Sequence, residues 1–298
     1  MNKDLFSKIG DLEKTLYGKQ KQVATYFLSN FEELSFKTAA EIANSAGVSE
    51  PTIIRFVKLL GYKGFPQLKD EFQRIILKKL SPSERLHKLP SIPDNNLTEI
   101  IGLLFEREIQ NLKETKEKLN GKIEKVVRCI IKAKKKYVLG LRSSSACAYL
   151  LGRYLDYILP NVITILDGDI RLFEKLRNIG KEDVLIVVSY PRYIRNTVEA
   201  IQFAKARNAL TITITDSELS PTAQISKFVI IAPSSSISIA NSYTACVSVI
   251  NLLNTLLINM NKGQTEAMLK EWENTLNLFD YFYKNQTNSI KDRKRQKR

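Results

Sequence analysis

The sequence predicts two domains: an all-α N-terminal domain, and an α/β domain whose five-stranded parallel sheet is covered by helices on both faces. Residues 1–80 show helical periodicity and no convincing strand, whereas residues 136–260 alternate short β-branched runs with helical segments. Residues 81–96, between these parts, are rich in proline, serine and asparagine, a composition typical of a connector. A chain of 298 residues has room for two such domains.

The α/β domain is predicted from five apolar runs with helical segments between them. The expected strands are residues 136–141, 162–166, 184–189, 210–215 and 228–232. A run such as Val-Leu-Ile-Val-Val-Ser (184–189) leaves no face for water, so we expect a doubly wound α/β/α sandwich with a parallel sheet. Ligands bind at the carboxyl ends of the strands in such sheets, and we expect the chemistry of the chain there.

Three long helices are predicted around this sheet, at residues 97–119, 239–259 and 263–283. The first is amphipathic, and its apolar stripe consists of Ile101, Leu104, Phe105, Ile109, Leu112 and Leu119. Either its own domain or a second subunit must cover that stripe, and the sequence leaves both open. The last helix carries Trp272, which we expect to be a packing residue.

The resulting division has four parts. They are a helical domain at 1–80, a linker and long amphipathic helix at 81–119, the α/β domain at 120–262, and a C-terminal helix and basic tail at 263–298.

Composition excludes several classes of protein. Hydrophobic residues are 44% and charged residues 26% of the chain, as in ordinary globular proteins. The apolar runs are too short to span a membrane and the N-terminus lacks a secretory signal, so we expect a cytoplasmic protein with no membrane partner. Cys129, Cys147 and Cys246 have no paired spacing, which predicts reduced thiols and no metal site.

The charge favours a polyanionic or phosphorylated partner, since 46 Lys and Arg against 31 Asp and Glu give +15. Residues 284–298 hold seven basic side chains and one acidic side chain. This tail is typical either of a disordered, solubilising end or of a nucleic-acid-binding arm.

The sharpest local signal lies between residues 38 and 60, where the spacing predicts a helix-turn-helix. A first helix from about Thr38 to Ser45 should stop at Gly47, which can adopt the left-handed conformation of a tight turn. Ser49 then offers a hydroxyl N-cap, and Pro51 is tolerated in the first turn of a second helix. Ala43 is small where the two helices cross, so the pair can pack closely.

The second helix of this pair has one apolar and one polar face. Ile53, Phe56, Val57 and Leu60 form the inward stripe. The outward face is basic and hydroxylated, and we expect it to contact DNA bases and phosphates through Ser49, Thr52, Arg55, Lys58 and Lys63. The alternative is a purely structural helix pair, which many helical domains contain.

The α/β part carries hydroxyl-rich turns at the predicted strand ends. Arg142-Ser-Ser-Ser145 follows the first strand directly before a helix, an arrangement that attracts phosphate through backbone N–H groups and the helix dipole. The third strand ends at Ser189 and leads through Arg192 to Thr197. Thr213–Asp216, Ser234–Ser236 and Ser242 add hydroxyls near the fourth and fifth strand ends. This rim predicts a polyol-phosphate pocket.

The run VSEPTIIRFVKLLGYKGFPQLK (48–69) resembles the N-terminal domain of the RpiR/MurR family of bacterial transcriptional regulators. The signature there is Val-Ser-x-x-Thr-[hydrophobic]-x-Arg-Phe, followed by Leu-Gly-[aromatic]-x-Gly-[aromatic]. The resemblance covers about residues 5 to 260. It implies a DNA-binding domain joined to a sugar isomerase (SIS) domain, a five-stranded parallel α/β sandwich that senses phosphosugars.

The resemblance also implies particular ligand-binding residues. Serine- and threonine-rich turns bind the sugar phosphate in SIS domains, and their counterparts here are Ser143, Ser144, Ser145, Ser189 and Thr197. The chain departs from the usual Ser-Gly pattern at Pro191 and Arg192. The Arg192 guanidinium can replace the lost donors and bind a phosphate or the carboxylate of a sugar acid. Arg142 adds positive charge.

The main alternative from another class is a sugar-phosphate isomerase, because the SIS fold also hosts such enzymes. Isomerisation needs a general base, and the candidates are few. His87 lies in the predicted linker, and Glu199 at the start of a helix more naturally interacts with its dipole. A third possibility is an adaptor that binds phosphosugars and acts through protein contacts. The sequence therefore favours a ligand sensor without catalysis, metal or cofactor.

The expected mechanism is a two-fold symmetric regulator. Two N-terminal domains of a homodimer or homotetramer would lie on a double-stranded DNA operator with matching symmetry. A phosphosugar or sugar-acid effector at the strand ends would change the spacing of the recognition helices through its different affinities for the two states.

Overall fold

The N-terminal part of the chain is all-α in the computed structural model, which describes residues 5–30, 34, 37–69, 71–72, 82–88, 96–119 and 121–279. Its helices are α1 (Leu5–Thr15), α2 (Gly18–Ser29), α3 (Ala39–Ser45) and α4 (Glu50–Leu59). Residues 65–69 and 71–72 are also helical. The core of this part contains Phe27, whose ring meets those of Phe56 and Phe72 edge to face at 5.3 and 5.8 Å. The predicted helical domain is confirmed.

Three helices lead from this part to the sheet: α5 (Pro82–Lys88), α6 (Leu97–Lys118) and α7 (Lys122–Lys132). The long helix α6 lies where the apolar stripe predicts it. The description of residues 81–96 as connector alone was wrong, because α5 is helical. Its Pro82 occupies the first helical position, where the missing N–H costs no hydrogen bond. Helix α7 was not predicted.

The α/β part contains the five-stranded sheet that the sequence predicts. The strands are β1 (Lys136–Gly140), β2 (Val162–Ile165), β3 (Val184–Ser189), β4 (Leu210–Thr215) and β5 (Phe228–Ile231). They are all parallel, in the order β2-β1-β3-β4-β5. Each predicted strand is correct to within one residue, because short apolar runs bounded by polar or turn-forming residues mark the strands in the sequence.

Helices cover both faces of the sheet. They are α8 (Ser144–Ile158), α9 (Ile170–Leu176), α10 (Arg195–Ala206), α11 (Pro221–Ile225), α12 (Thr244–Met260) and α13 (Lys262–Leu278). Side chains of β1 alternate, so that Val138 joins a core with α7, α8 and α12 while Leu139 joins a second core with α9 and α10. Trp272 on α13 packs against the Tyr157 ring, with centroids 5.9 Å apart.

One predicted helix start is wrong, since α12 begins at Thr244 and not at residue 239. The preceding segment is rich in serine, and its hydroxyls bind local backbone groups. Ser236 Oγ accepts from the N–H of Ser238 at 3.0 Å, and Ser242 Oγ accepts from the N–H of Thr244 at 3.3 Å. Such bonds compete with helical ones and hold the backbone in turns.

Within the described ranges, no single helix is long and apolar enough to cross a membrane. The pair α12 and α13 reaches that length and composition only jointly, with a bend of 104° between the two helices. The apolar side chains of α12 are buried against the sheet, among them Val249, Ile250 and Leu253.

Candidate functional site

The predicted helix-turn-helix consists of α3, a tight turn and α4. Gly47 has φ +64°, so the turn needs the left-handed conformation that glycine adopts without strain. The N–H of Val48 donates to the carbonyl of Ala43 at 2.9 Å and closes the turn. Ala43 and Ile53 are buried where the two helices meet. The predicted geometry of the motif is therefore present.

Helix α3 begins with a complete capping box. Thr38 Oγ1 accepts from the N–H of Glu41 at 3.2 Å, and the Glu41 carboxylate accepts from the N–H of Thr38 at 2.6 Å. These bonds from the backbone and hydroxyl of Thr38 lower the pKa of Glu41. The cap fixes the start of the first helix of the motif.

The five side chains predicted to contact DNA lie on the outer side of the motif. Ser49, Arg55, Lys58 and Lys63 are exposed and Thr52 is half-buried, whereas the inward stripe of α4 is buried. The hydroxyl cap predicted at Ser49 is wrong. Ser49 occupies the N-cap position, but its Oγ makes no hydrogen bond to a backbone N–H of the helix and lies 2.9 Å from Thr52 Oγ1. The N–H of Thr52 donates to the backbone carbonyl of Ser49 instead. Pro51 removes another N–H that the hydroxyl would have capped.

A cavity of about 240 Å³ opens at the carboxyl ends of β1 and β3. These strands are neighbours in the sheet, but the helices that follow them, α8 and α10, cover opposite faces. The two connections therefore diverge and leave a crevice between them, as expected at a topological switch point. The segment after β5 forms another wall of the cavity.

Six of the seven predicted ligand-binding residues line this cavity. They are Arg142, Ser143, Ser144, Ser189, Arg192 and Thr197. Ser144, Ser189 and Thr197 are buried, while the two arginines are exposed. Ser145 does not line the cavity. Helix α8 begins at Ser144, and one position further along the helix the side chain lies on a different side of it.

Several lining residues were not predicted, and they come from segments distant in the sequence. They include Arg85 from α5, Tyr190 beside Pro191, and residues Ile239, Ala240, Asn241 and Tyr243 after β5. The hydroxyl pattern contains no signal for Arg85, because this residue lies outside the strand-end turns, in a segment that the sequence predicts as a connector. Tyr190 and Tyr243 were detectable only as aromatic residues next to predicted strand ends.

The two tyrosines of the cavity lining are held by a ring contact and by hydrogen bonds of their hydroxyls. Their rings meet edge to face at 5.2 Å, and the Tyr243 hydroxyl donates to Ser143 Oγ at 2.8 Å. The Tyr190 hydroxyl donates to the carbonyl of Ala232 at 3.1 Å. Burial raises the pKa of Tyr190 well above its usual value, so that this hydroxyl stays protonated and acts as a donor.

The lining of the cavity also carries positive charge. Arg85, Arg142 and Arg192 all line it, and the φ angles of Arg142 and Arg192 are +53° and +67°. Such left-handed backbone is unusual for arginine and is concentrated at binding sites, where the surrounding structure enforces it. Burial, and next the positive charge of Arg192, lower the pKa of Arg85. The cavity is thus suited to an anion with hydroxyl groups.

Other predicted features lie away from the cavity. Glu199 accepts from Arg195 Nε at 2.7 Å on the surface of α10. Asp216 is not a lining residue, and its Oδ1 accepts from the Tyr193 hydroxyl at 2.7 Å, which links the end of β4 to the turn after β3. The three cysteines are free thiols, as predicted. The side chain of His87 and the basic tail lie outside the described residues.

The described part of the chain contains no group of three or more His, Cys, Asp or Glu side chains that could hold a metal ion.

The two parts together define a class of protein. A helix-turn-helix with a basic outer face, joined to a parallel α/β domain with a ligand-sized cavity, is the architecture of a ligand-responsive, DNA-binding transcriptional regulator. Residues 3–79 match the helix-turn-helix domain of the rpiR family, and residues 129–256 match the SIS domain. The chain belongs to the rpiR family of transcriptional regulators with an SIS ligand-binding domain.

Curated relatives are also regulators. An uncharacterised HTH-type transcriptional regulator of Haemophilus influenzae is 26% identical over 76% of this chain and 79% of its own length. The HTH-type transcriptional regulator HexR of Escherichia coli is 26% identical over 71% of this chain and 72% of its own length.

Solved structures share the fold. The sugar isomerase domain of an RpiR transcription factor from Sphaerobacter thermophilus is 29% identical, with a TM-score of 0.57, and the match covers 59% of this chain and 99% of that one. The Vibrio vulnificus NanR protein, solved in complex with ManNAc-6P, is 17% identical with a TM-score of 0.56 and covers 93% of this chain and 99% of its own.

Proposed function

We propose that an anionic sugar, either a phosphosugar or a sugar acid, binds the cavity at the ends of β1 and β3 and controls the affinity of this regulator for its operator. The observation that carries the proposal is the lining of the cavity, which combines three arginines with the buried hydroxyl residues Ser144, Ser189 and Thr197. Guanidinium groups bind phosphate or carboxylate in bidentate geometry, and hydroxyls suit the polyol of a sugar. The NanR complex with ManNAc-6P supports a phosphosugar as the ligand class.

The proposed DNA contacts are Ser49, Thr52, Arg55, Lys58 and Lys63. Arg55 is exposed in the middle of α4, where the side chain of a recognition helix can reach base edges in the major groove. Lys58 and Lys63 are also exposed, and they suit phosphate contacts.

We propose that the chain senses its ligand without turning it over. Aldose–ketose isomerisation needs a general base within hydrogen-bond reach of the substrate. The cavity is lined by arginines, hydroxyls, tyrosines and apolar groups, and Glu199 is engaged by Arg195 on the surface. Hydrogen-bond donors of this kind hold an anion in place, which is the task of a sensor.

We further propose a dimer formed through α6. The exposed apolar side chains of this helix are Leu97, Ile101, Leu103, Leu104, Phe105 and Ile109. Leu97, Ile101, Leu104, Phe105 and Ile109 lie on one side of the helix, and an exposed apolar face of this kind is typical of a subunit interface. A second copy of the chain is the fitting partner because two helix-turn-helix motifs on a symmetric operator require a two-fold axis.

The DNA-binding half of the function is tested first. DNA selected by the wild-type chain from a randomised pool is used in anisotropy titrations. Arg55→Ala should weaken binding roughly tenfold or more, since one base contact contributes about 1–3 kcal/mol. Arg128→Ala, which removes an exposed charge from α7, is the control. Equal affinity of Arg55→Ala and wild type would refute the recognition-helix assignment.

The effector half uses a thermal-shift screen with inorganic phosphate, glucose 6-phosphate, N-acetylmannosamine 6-phosphate and 6-phosphogluconate. A compound that binds the folded state raises the melting temperature by mass action and should also change the affinity for DNA. The double variant Ser144→Ala with Arg192→Ala should lose both effects and keep DNA binding, whereas Ser145→Ala should retain them. If nuclear magnetic resonance shows that the protein converts a probe to a product, the alternative function as a sugar-phosphate isomerase is favoured instead.

A further inference from the structure

Arg85 connects the cavity to the segment between the two domains. It lies on α5, and its side chain is 7% exposed. Its Nη1 donates to the carbonyl of Ile239 at 3.1 Å and to Asn241 Oδ1 at 3.1 Å. The residue therefore reaches from the interdomain segment into the wall of a cavity that is otherwise built by the α/β domain.

The electrostatics around Arg85 indicate what occupies this end of the cavity. Arg192 lies close enough for its charge to lower the pKa of Arg85, in addition to the larger effect of burial, while Asp216 acts in the opposite direction. Arg142 adds a third guanidinium on the lining. Like charges beside a partly desolvated cavity repel each other, and an anion placed between them removes that cost.

We propose that Arg85 and Arg192 bind one anionic group of the effector between them, and that this contact transmits effector binding to the DNA-binding domain. The anionic group is a phosphate or a sugar-acid carboxylate, both of which match the fork of a guanidinium. The inference rests on the proposed function of the cavity. It gives a ligand-binding role to Arg85, a residue that lies outside the part of the chain that matches the SIS domain.

The segment after β5 links the proposed contact of the anion with Arg85 to helix α6. Arg85 holds its residues Ile239 and Asn241. The same segment is tied to α6, because Asn111 Nδ2 donates to the carbonyl of Ser235 at 2.8 Å and Ser242 Oγ donates to Glu108 Oε2 at 2.5 Å. An anion at Arg85 thus acts on α5 and, through this segment, on α6.

The path to DNA is short along the chain. Only residues 73–81 separate Phe72, in the core of the helix-turn-helix part, from Pro82 at the start of α5. When an anion fixes α5 against the α/β domain, it limits the positions that the recognition helix can reach. A ligand can shift a conformational equilibrium only if it binds the two states with different affinities. Here the difference is the contact of the anion with both Arg85 and Arg192, which requires α5 to lie against the α/β domain.

The test measures probe binding by calorimetry on the full chain, with wild type, Arg85→Gln, Arg192→Gln and the double variant. Each single variant should bind the responsive probe at least tenfold more weakly than wild type. The double variant should lose less than the product of the two single losses, because both arginines hold one group. Arg195→Gln, which changes an arginine whose side chain is 88% exposed, should bind as wild type does.

The choice of probes distinguishes the two sources of the anion. If Arg85→Gln weakens the binding of glucose 6-phosphate and of inorganic phosphate, the two arginines hold the phosphate group. If the variant weakens the binding of 6-phosphogluconate but leaves the affinity for glucose 6-phosphate unchanged, the two arginines hold the carboxylate. Arg85→Lys keeps one charge without the bidentate fork, so it should fold as wild type and lose an intermediate part of the affinity.

Hydrogen–deuterium exchange tests the transmission step. The responsive probe should slow amide exchange in residues 82–88 of wild type and Arg195→Gln, and it should not do so in Arg192→Gln. Arg85→Gln with wild-type affinity and wild-type DNA release would overturn the inference. The proposed function would survive that result, provided the Ser144→Ala, Arg192→Ala variant still lost its response. Failure of every probe to bind wild type would overturn both.

Discussion

Arg142 and Arg192 hold backbone conformations that are costly for any residue with a side chain. Left-handed φ angles of this kind cost roughly 1–2 kcal/mol per residue, and both fall in turns that line the same cavity. Glycine would remove the cost at either place. The chain instead keeps a guanidinium at each, which fits a site where anion binding outweighs the strain.

Gly140 at the end of β1 lies where the sheet and the serine turn are in closest contact. A Cβ there would lie 2.5 Å from Ala148 Cβ and 2.7 Å from the carbonyl oxygen of Ser144. Gly140→Ala should destabilise the α/β domain by about 1–3 kcal/mol, because backbone on one side cannot move away easily. Urea unfolding followed by Trp272 fluorescence measures the effect, with Gly180→Ala as control.

A Cβ at Gly180 would have no heavy atom within 4 Å, so the alanine variant should stay within about 0.5 kcal/mol of wild type. Equal unfolding midpoints for the two variants would show that the β1 end relaxes at no cost, contrary to the close packing described. Effector binding should also fall in Gly140→Ala, because any shift of Ser144 alters the cavity lining.

At the scale of single residues, the strand-end rule placed six of seven predicted side chains on one cavity. The rule works because parallel strands bring their carboxyl ends to one edge whatever the loops between them do. It fails for Ser145, whose direction depends on the turn at which α8 begins. It also cannot locate Arg85, whose position follows from how the connecting helix packs and from no local pattern.

Elements differ in how strongly the sequence determines them. The strands were predicted to within one residue because short apolar runs are bounded by polar or turn-forming residues. The start of α12 was misplaced because apolar periodicity ignores serine hydroxyls that bind nearby N–H groups. Helix α5 was missed because seven mostly polar residues next to proline-rich sequence give no periodic signal.

The capping box of α3 supports the first helix of the DNA-binding motif. Thr38→Ala should cost about 1 kcal/mol near pH 7, since it removes the hydroxyl that accepts from the N–H of Glu41. Urea unfolding followed by far-ultraviolet circular dichroism gives the change in stability. Thr25→Ala, which removes one exposed hydrogen bond from α2 to Glu13 of α1, is the control and should cost clearly less.

The same cap has a defined pH dependence. Because Thr38 lowers the pKa of Glu41, the ionised carboxylate stabilises the folded state above the usual glutamate pKa of about 4.3, and this stabilisation is lost as the pH falls through the folded value. The stability difference between wild type and Thr38→Ala should therefore shrink below about pH 4. A difference that grew on acidification would contradict the capping-box assignment.

For the whole molecule, the exposed face of α6 and the two-fold symmetry of regulator–operator complexes lead to the same assembly. Phe105 is 60% exposed, Ile101 58% and Leu97 71%, so one end of this helix presents a large apolar surface. A single helix-turn-helix reads too few base pairs to select an operator, whereas two linked copies multiply their affinities through effective concentration. The dimer therefore bears on DNA binding as well as on stability.

Phe105→Glu tests this assembly directly. A carboxylate at the centre of an apolar interface remains unpaired and desolvated, so sedimentation velocity at micromolar protein should show a monomer where wild type is dimeric. Operator affinity should fall roughly a hundredfold because the two motifs no longer bind as one unit. Gln202→Glu adds one negative charge at an exposed position of α10, which packs on the other face of the sheet from α6, and it should leave both properties unchanged. If Phe105→Glu stays dimeric, another surface pairs the subunits; if wild type is monomeric yet binds its operator with full affinity, the two-fold assembly itself is wrong.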